Sequence, residues 1–290
     1  MNLKEKNNTK VLITGGDGQL GKCIKVLEIN YPTLDLYFTN FKELDITDKE
    51  NIALFFKNYS FDYVINCAAY TNVELSEKES ERAFLVNAVG VKNLAEVCFL
   101  NKTVLIHIST DYVFDGEKGT PYTEEDIPNP MNEYGKSKLV GEQYLQKTLK
   151  KYFIVRTSWL YSEFGNNFFK TILKKSKNEK ELTIVTSETG TPTNANDLAE
   201  FILNIIKSTS SKYGIYHFSN EGEATWYDFA YEILKSSGKL DSIKLEKADN
   251  YPTFAQRPKY SVLSKIKSVE SFGLRILDWK DSLKKLYSKY

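Results

Sequence analysis

Thiols and imidazoles are scarce in this chain. Its 290 residues hold three cysteines, Cys23, Cys67 and Cys98, and two histidines, His107 and His217. An odd cysteine count with no C-x-x-C pair excludes a disulfide framework and a thiolate zinc site. It fits buried thiols in a reducing compartment, so a cytoplasmic location is expected. Two isolated histidines offer no imidazole-rich centre, and no metal is expected. Excess charge is missing too: 39 basic residues stand against 38 acidic ones, a net charge of +1. No global field draws the chain to nucleic acid or an anionic membrane, so neither is expected as a partner. Lys147 to Lys151 reads as a solvated helix face. No run of about 18 apolar residues is present, so no membrane span is expected. Met1 to Lys10 is polar and lacks the apolar core of a secretory leader.

What the chain has is a strand that runs into glycines. Val11-Leu-Ile-Thr14 is followed by Gly15-x-x-Gly18-x-x-Gly21 and then by a helical pattern. Glycine permits a tight turn after the strand and close approach of backbone to a phosphate. The free N–H groups of the following helix face the anion. A glycine-rich turn can also merely join a strand to a helix; the position after an early strand favours a dinucleotide site.

The first half alternates. Apolar runs at 11–14, 34–38, 63–67, 104–108 and 153–155 are separated by helical patterns at 20–30, 49–58, 80–100 and 137–149. Continuous apolar strands between helices predict an α/β fold with a parallel sheet flanked by helices on both faces. After Trp159 the rhythm changes. Short strands at 183–185 and 215–218 and helices at 195–207 and 226–235 predict a smaller lobe without a glycine fingerprint. The expected division is a dinucleotide-binding domain over 1–158 and a mainly substrate-binding lobe over 159–290, interleaved with the first.

Chemistry is expected outside the carboxyl ends of the strands. Ser109-Thr110-Asp111 ends the fourth strand, although such a segment can also be an ordinary polar turn. Tyr134 and Lys138, four apart, share a helix face. That pair alone is uninformative, and Tyr231 with Lys235 is a second one, read as a decoy. Position after the Ser109/Thr110 strand end promotes Tyr134. The set suits hydride transfer to a ketone. A phenol holds its proton at neutral pH and can donate it. A nearby ammonium favours the phenolate; lowering the phenol toward about 7 corresponds to roughly 4 kcal/mol. The Thr110 hydroxyl can bond the carbonyl oxygen as charge develops.

Taken together, GGDGQLG, LDITD, NCAAYTNVE, STDYVFDG, NEYGKSKLVGE, RTSWLY, NNF, GTPT and AQRPKYSVL run over nearly the whole chain. The sequence resembles the extended short-chain dehydrogenase/reductase superfamily and, within it, the dTDP-4-dehydrorhamnose reductase family. The resemblance implies a Rossmann-like fold and NAD(P)H-dependent reduction of a dTDP-linked 4-keto-6-deoxysugar. It implies that Gly15, Gly18, Gln19, Leu20 and Gly21 lie along the cofactor pyrophosphate and that Asp45 and Ile46 sit at the adenine. Ala69, Tyr70 and Thr71 would line the cofactor path. Tyr134 would donate the proton, Lys138 orient the nicotinamide ribose and Thr110 tune the carbonyl. Asp111, Trp159, Val73 and Arg257 would serve the nucleotide-sugar, with Thr71 nearby.

Each assignment has a plainer alternative. Asp45 could cap the following helix. Trp159 could be a core aromatic. Arg257 could pair with a surface carboxylate rather than clamp a diphosphate. Tyr70 and Val73 read as shape rather than chemistry. Two departures from the family stand out. Ser187-Glu188 replaces the usual Asp-Gln before Gly190. The stretch Tyr37 to Lys42 after the second strand lacks the acid that holds a ribose 2′-hydroxyl, so NADPH is the expected cofactor with NADH also accepted. A nucleotide-sugar epimerase or dehydratase on the same fold stays open. So does a non-enzymatic NADP-binding regulatory subunit, since fold alone does not decide function. A monomer or homodimer is expected.

Overall fold

A computed structural model describes residues 8–250 and 252–288. Most of the polar opening stretch, Met1 to Lys10, therefore lies outside the described residues. In chain order the first half contains β1 (Thr9–Thr14), α1 (Gln19–Leu27), β2 (Leu34–Thr39), α2 (Lys49–Asn58), β3 (Tyr63–Asn66), α3 (Val73–Ser76), α4 (Ser80–Phe84), α5 (Gly90–Asn101), β4 (Val104–Thr110), α6 (Glu133–Thr148) and β5 (Tyr152–Thr157). The second half adds β6 (Leu160–Tyr161), α7 (Phe168–Asn178), β7 (Glu181–Val185), β8 (Thr189–Gly190), β9 (Thr193–Asn194), α8 (Ala195–Lys207), β10 (Gly214–His217), β11 (Ala224–Thr225), α9 (Trp226–Ser236), β12 (Lys244–Ala248), α10 (Ile266–Phe272) and α11 (Trp279–Tyr287).

Six strands form one parallel sheet in the order β10-β5-β4-β3-β1-β2. Alternation along each strand divides the core between the two faces. Val11, Ile13, Ile65, Ile106 and Val155 meet Leu20, Cys23 and Ile24 of α1 and the apolar stripe of α8. Leu12, Val64, Leu105 and Ile154 meet α2, α5 and α6 through Ile52, Phe56, Leu94 and Leu145. A strand with helices on both sides must be apolar at every position, which is why these runs carry no polar alternation. The α/β fold expected from the sequence is the one observed.

The second half contributes to that sheet. β10 pairs with β5, and α8 packs beside α1 on the first face. The remainder gathers around Phe229 and Trp279, where α7, α9 and α11 cover a parallel β7–β12 pair.

Two helices differ from their expected form. α6 starts at Glu133 rather than 137, because Asn132 caps it by accepting from the Gly135 N–H at 2.8 Å. The run from 80 to 101 is broken by a π-helical turn over Leu85–Val89. Although no unbroken run of about 18 apolar residues is present, this helical run, Ser80–Asn101, is long and apolar enough by composition to cross a membrane. More than half of it is buried within the protein, as expected of a core helix.

Candidate active site

All six strands run the same way, so the turns after β1, β3, β4 and β5 share one edge of the sheet. The order reverses between β1 and β3, where an open α/β sheet leaves its crevice.

The glycine turn lies at that crevice. Gly15 has a φ of +64°, and a Cβ there would sit 2.7 Å from the Ala68 nitrogen in the turn after β3. A Cβ on Gly21 would meet Gly16 Cα at 2.6 Å. Gly18 is the N-cap of α1 and supplies no side-chain acceptor to its N–H groups. The first turn therefore presents bare donors and a positive dipole end. That donor set fits a pyrophosphate. Leu20 points into the core at 5% exposure, so only its backbone faces the cradle. Gln19 Oε1 accepts from Asn167 Nδ2 at 2.6 Å. The same asparagine caps α7, so the NNF segment ties the smaller lobe to the cradle.

Asp45 does not cap α2. Asp48 holds that position, accepting from the Asn51 N–H. Asp45 Oδ1 instead accepts from the Thr47 N–H and hydroxyl, both at 2.8 Å. Ile46 is buried in the core beneath Gly90. An acid does stand near the end of β2, just past the stretch read for one: Glu43 Oε2 accepts from the Asn40 N–H at 2.9 Å. Ala69 and Tyr70 are half-buried and Thr71 is exposed. Asn87 grips the Tyr70 backbone on both sides, accepting from its N–H and donating to its carbonyl, each at 2.9 Å. The Tyr70 hydroxyl donates to Glu79, which agrees with a shaping role for that side chain.

The catalytic candidates converge at the end of β4. Thr110 ends the strand, and its hydroxyl accepts from the Tyr112 N–H at 3.2 Å and donates to Asp111 Oδ1 at 3.1 Å. Tyr134 lies on the first turn of α6, edge-to-face with Tyr112 at 5.7 Å. Burial pushes its phenol up to about 12; the Thr110 hydroxyl pulls it down and Asp111 pushes it further up. The expected lowering by Lys138 is not met. Lys138 is 2% exposed, and its Nζ donates to the Ile108 carbonyl at 2.6 Å. Burial holds its ammonium down at about 8, against the pull of Glu142 and Cys67. Tyr231 and Lys235, the decoy pair, lie on the outer face of α9, where Lys235 pairs with Glu232.

A buried ion pair braces α6. Arg156 of β5 donates to both oxygens of Glu142, the shorter contact being 2.7 Å, and Ser109 donates to the same carboxylate at 2.5 Å. Both residues lie in motifs quoted above, but partners on separate elements leave no mark in local spacing.

Asp111 is 1% exposed, and its Oδ2 has no hydrogen-bond partner. Burial raises its carboxyl from 3.8 to about 7, against the pull of Ser261 and Thr110. The folded chain thus keeps a proton that the unfolded chain loses, and stability falls as pH rises through that interval. Asp111→Asn removes the linkage. Its melting temperature should exceed the parent's by a margin that is largest above pH 7 and closes near pH 4. Thermal denaturation at pH 4.5 and pH 8 checks this; a margin independent of pH would contradict it.

Trp159 follows β5 with a φ of +44°, a strained conformation for a residue with a Cβ. Its indole stacks on Trp226 at 3.6 Å and 5°. It also occupies the space a Gly190 side chain would need, 2.6 Å from that Cβ. Trp226 Nε1 donates to Glu188 at 2.8 Å, so the departure at Ser187-Glu188 braces this aromatic pair. Trp159 stays half-buried at the margin of the smaller core. Arg257 pairs with Glu74 at 2.8 Å. Glu74 also accepts from the Phe254 and Ala255 N–H groups. Burial alone would raise its carboxyl, but these bonds outweigh burial and hold it below its usual range. The pair links the AQRP segment to α3, beside Val73.

Comparisons with known proteins agree with this architecture. A family model described as the RmlD substrate binding domain matches residues 9–290. The dTDP-4-dehydrorhamnose reductase of Aggregatibacter actinomycetemcomitans is 39% identical over 96% of this chain and 98% of its own length. The spore coat polysaccharide biosynthesis protein SpsK of Bacillus subtilis is also 39% identical, over 95% of this chain and 96% of its own. The crystal structure of dTDP-4-dehydrorhamnose reductase from Bacillus anthracis in complex with NADP superposes with a TM-score of 0.93 at 37% identity, covering 98% of this chain and 100% of that one. A match of this length and identity means that the chain belongs to the dTDP-4-dehydrorhamnose reductase family.

Proposed function

We propose that this protein reduces the 4-keto group of a dTDP-linked 6-deoxysugar, dTDP-4-dehydro-L-rhamnose giving dTDP-L-rhamnose, with NADPH preferred and NADH accepted. One observation carries the reading: Thr110, Tyr134 and Lys138 meet at the strand edge that also bears the Gly15–Gly21 cradle. Homologous reductases, one of them solved with NADP, support the cofactor and the reaction.

When bound, the nicotinamide supplies a hydride; the chain's own residues supply position and a proton. Gly15, Gly18, Gln19, Leu20 and Gly21 hold the pyrophosphate, chiefly through backbone N–H groups. Asp45 and Ile46 flank the adenine, and Ala69, Tyr70 and Thr71 line the path to the reacting end. Tyr134 holds its proton firmly, its phenol standing at about 12. An alkoxide is more basic than a phenolate, so the proton moves only as the carbonyl oxygen gains charge. Thr110 donates to that oxygen at the same moment. Lys138 orients the ribose. Asp111, Trp159, Val73 and Arg257 bind the nucleotide-sugar, and Arg257 exchanges Glu74 for the diphosphate.

NADPH consumption in step with dTDP-4-dehydro-L-rhamnose, and an L-rhamno product by NMR, is the expected result. No oxidation of NADPH by the purified chain would overturn the reading. Trp159→Ala should raise KM for the sugar nucleotide about tenfold or more, a loss of about 1.4 kcal/mol, while the NADPH Kd stays within about twofold. A rise in the NADPH Kd instead would place Trp159 on the cofactor side.

A further inference from the structure

A chain of buried polar groups runs beneath the site, and Lys138 is its one member that a step above uses. Thr14, at the end of β1, donates to Asn66 Oδ1 at 2.7 Å. Asn66 Nδ2 faces His107 Nδ1 at 3.1 Å, and His107 Nε2 faces Lys138 Nζ at 3.5 Å. All four residues are 2% exposed or less.

The protons in this chain can be placed. The Ala68 backbone N–H points at Asn66 Oδ1 at 3.2 Å. A backbone N–H only donates, so that atom of Asn66 is its oxygen and the other is its NH₂ group. The NH₂ group donates to His107 Nδ1, which must offer a lone pair. Burial and the neighbouring Lys138 charge hold His107 well below its usual range, so the ring is neutral. Its one proton therefore sits on Nε2 and points at Lys138. An ammonium there would meet donor with donor; an uncharged amine would accept.

We propose that His107 is a positioning residue for Lys138: locked by Asn66 as the Nε2–H tautomer, it donates to the neutral amine and so makes the lysine a group that gives and takes a proton. The other groups facing Nζ are few. The Ile108 carbonyl of β4 accepts from it in either state. Glu142 of α6 favours the ammonium but is committed to Arg156 and Ser109. Cys67, after β3, stays a thiol because burial pushes it up to about 12. In turnover an N–H bond of the ammonium breaks and the O–H bond of Tyr134 reforms through an intervening water, and a solvent proton then restores the ammonium. The electron pair left on Nζ receives the Nε2–H hydrogen bond. The inference rests on Lys138 belonging to the site, but its test uses neither substrate nor cofactor, so it stands or falls apart from the reductase reading.

The test is NMR of the full chain without ligand, labelled with ¹⁵N in histidine and lysine. Long-range proton–nitrogen spectra distinguish the tautomers. His107 should carry its proton on Nε2. His217 is an internal control, since its Nδ1 lies 3.1 Å from the Tyr122 carbonyl and should carry the proton there. As pH rises, His107 Nε2 and Lys138 Nζ should shift with one common midpoint, and in His107→Gln the lysine midpoint should rise by about one pH unit or more. A protonated Nδ1 on His107, or separate midpoints in the parent, would overturn the proposal. A role in packing alone would leave the Lys138 midpoint unmoved in His107→Gln.

Discussion

Tyr134→Phe should cut turnover with a keto-sugar nucleotide and NADPH by about 10² to 10⁴, the range for loss of a general acid. The change removes one hydroxyl and keeps the ring that stands edge-to-face with Tyr112. Melting temperature and cofactor affinity should therefore stay near the parent's. Because burial holds the phenol at about 12, Tyr134 itself should lose none of its acid form between pH 6 and 9, and a fall in the parent rate within that interval would belong to the Lys138 ammonium, held at about 8. Tyr231→Phe is the control. That residue lies on the exposed side of α9 at 40% exposure, beside a lysine paired elsewhere, and its loss should leave the rate alone. Near-parental turnover in Tyr134→Phe would remove the proposed acid and bring the non-catalytic binding reading forward.

The parts of this protein that were legible in its sequence are those whose causes are local. β1 to β5 are continuous apolar runs because helices cover both faces, and the runs mark their centres to within a few residues. The helix at Lys49–Asn58 is flanked by its own cap, Asp48. The glycine cradle is legible because each glycine answers a nearby backbone atom. What escapes are relations between distant segments. Ile215 and its neighbours read as a strand of a second lobe, yet they close the edge of the first sheet, beside β5. Trp159 reads as a nucleotide-sugar contact or a core aromatic, while its partner Trp226 and the bracing Glu188 lie on other elements. Tyr134 and Lys138 are adjacent on a helix, so their association is readable. That Lys138 turns toward Ile108 and His107, rather than lowering the phenol, depends on how α6 seats on β4.

The second large effect divides the glycines of the cradle into two kinds. Gly18 has φ −71° and ψ 176°, an ordinary extended conformation for any residue. A Cβ there meets only the Gly15 carbonyl oxygen, at 3.1 Å. Gly18→Val should therefore fold, losing at most about 1 kcal/mol for a poorer N-cap. Its branched side chain would stand over the bare donors of the first turn of α1, and NADPH affinity should fall by about 100-fold or more, about 2.7 kcal/mol. Gly21 is different. Its Cβ would press on Gly16 Cα, carbonyl carbon and oxygen at 2.6 to 2.7 Å. These are backbone atoms that cannot swing aside as a flexible side chain can. Gly21→Ala should lower stability by about 1–3 kcal/mol, the usual cost of overpacking, and weaken NADPH through the distorted turn. Denaturant unfolding and calorimetry with NADPH separate the two cases. Gly18→Val with parental NADPH affinity would remove the cradle from the cofactor site. Gly21→Ala with parental stability would show that the turn yields more easily than its backbone contacts imply.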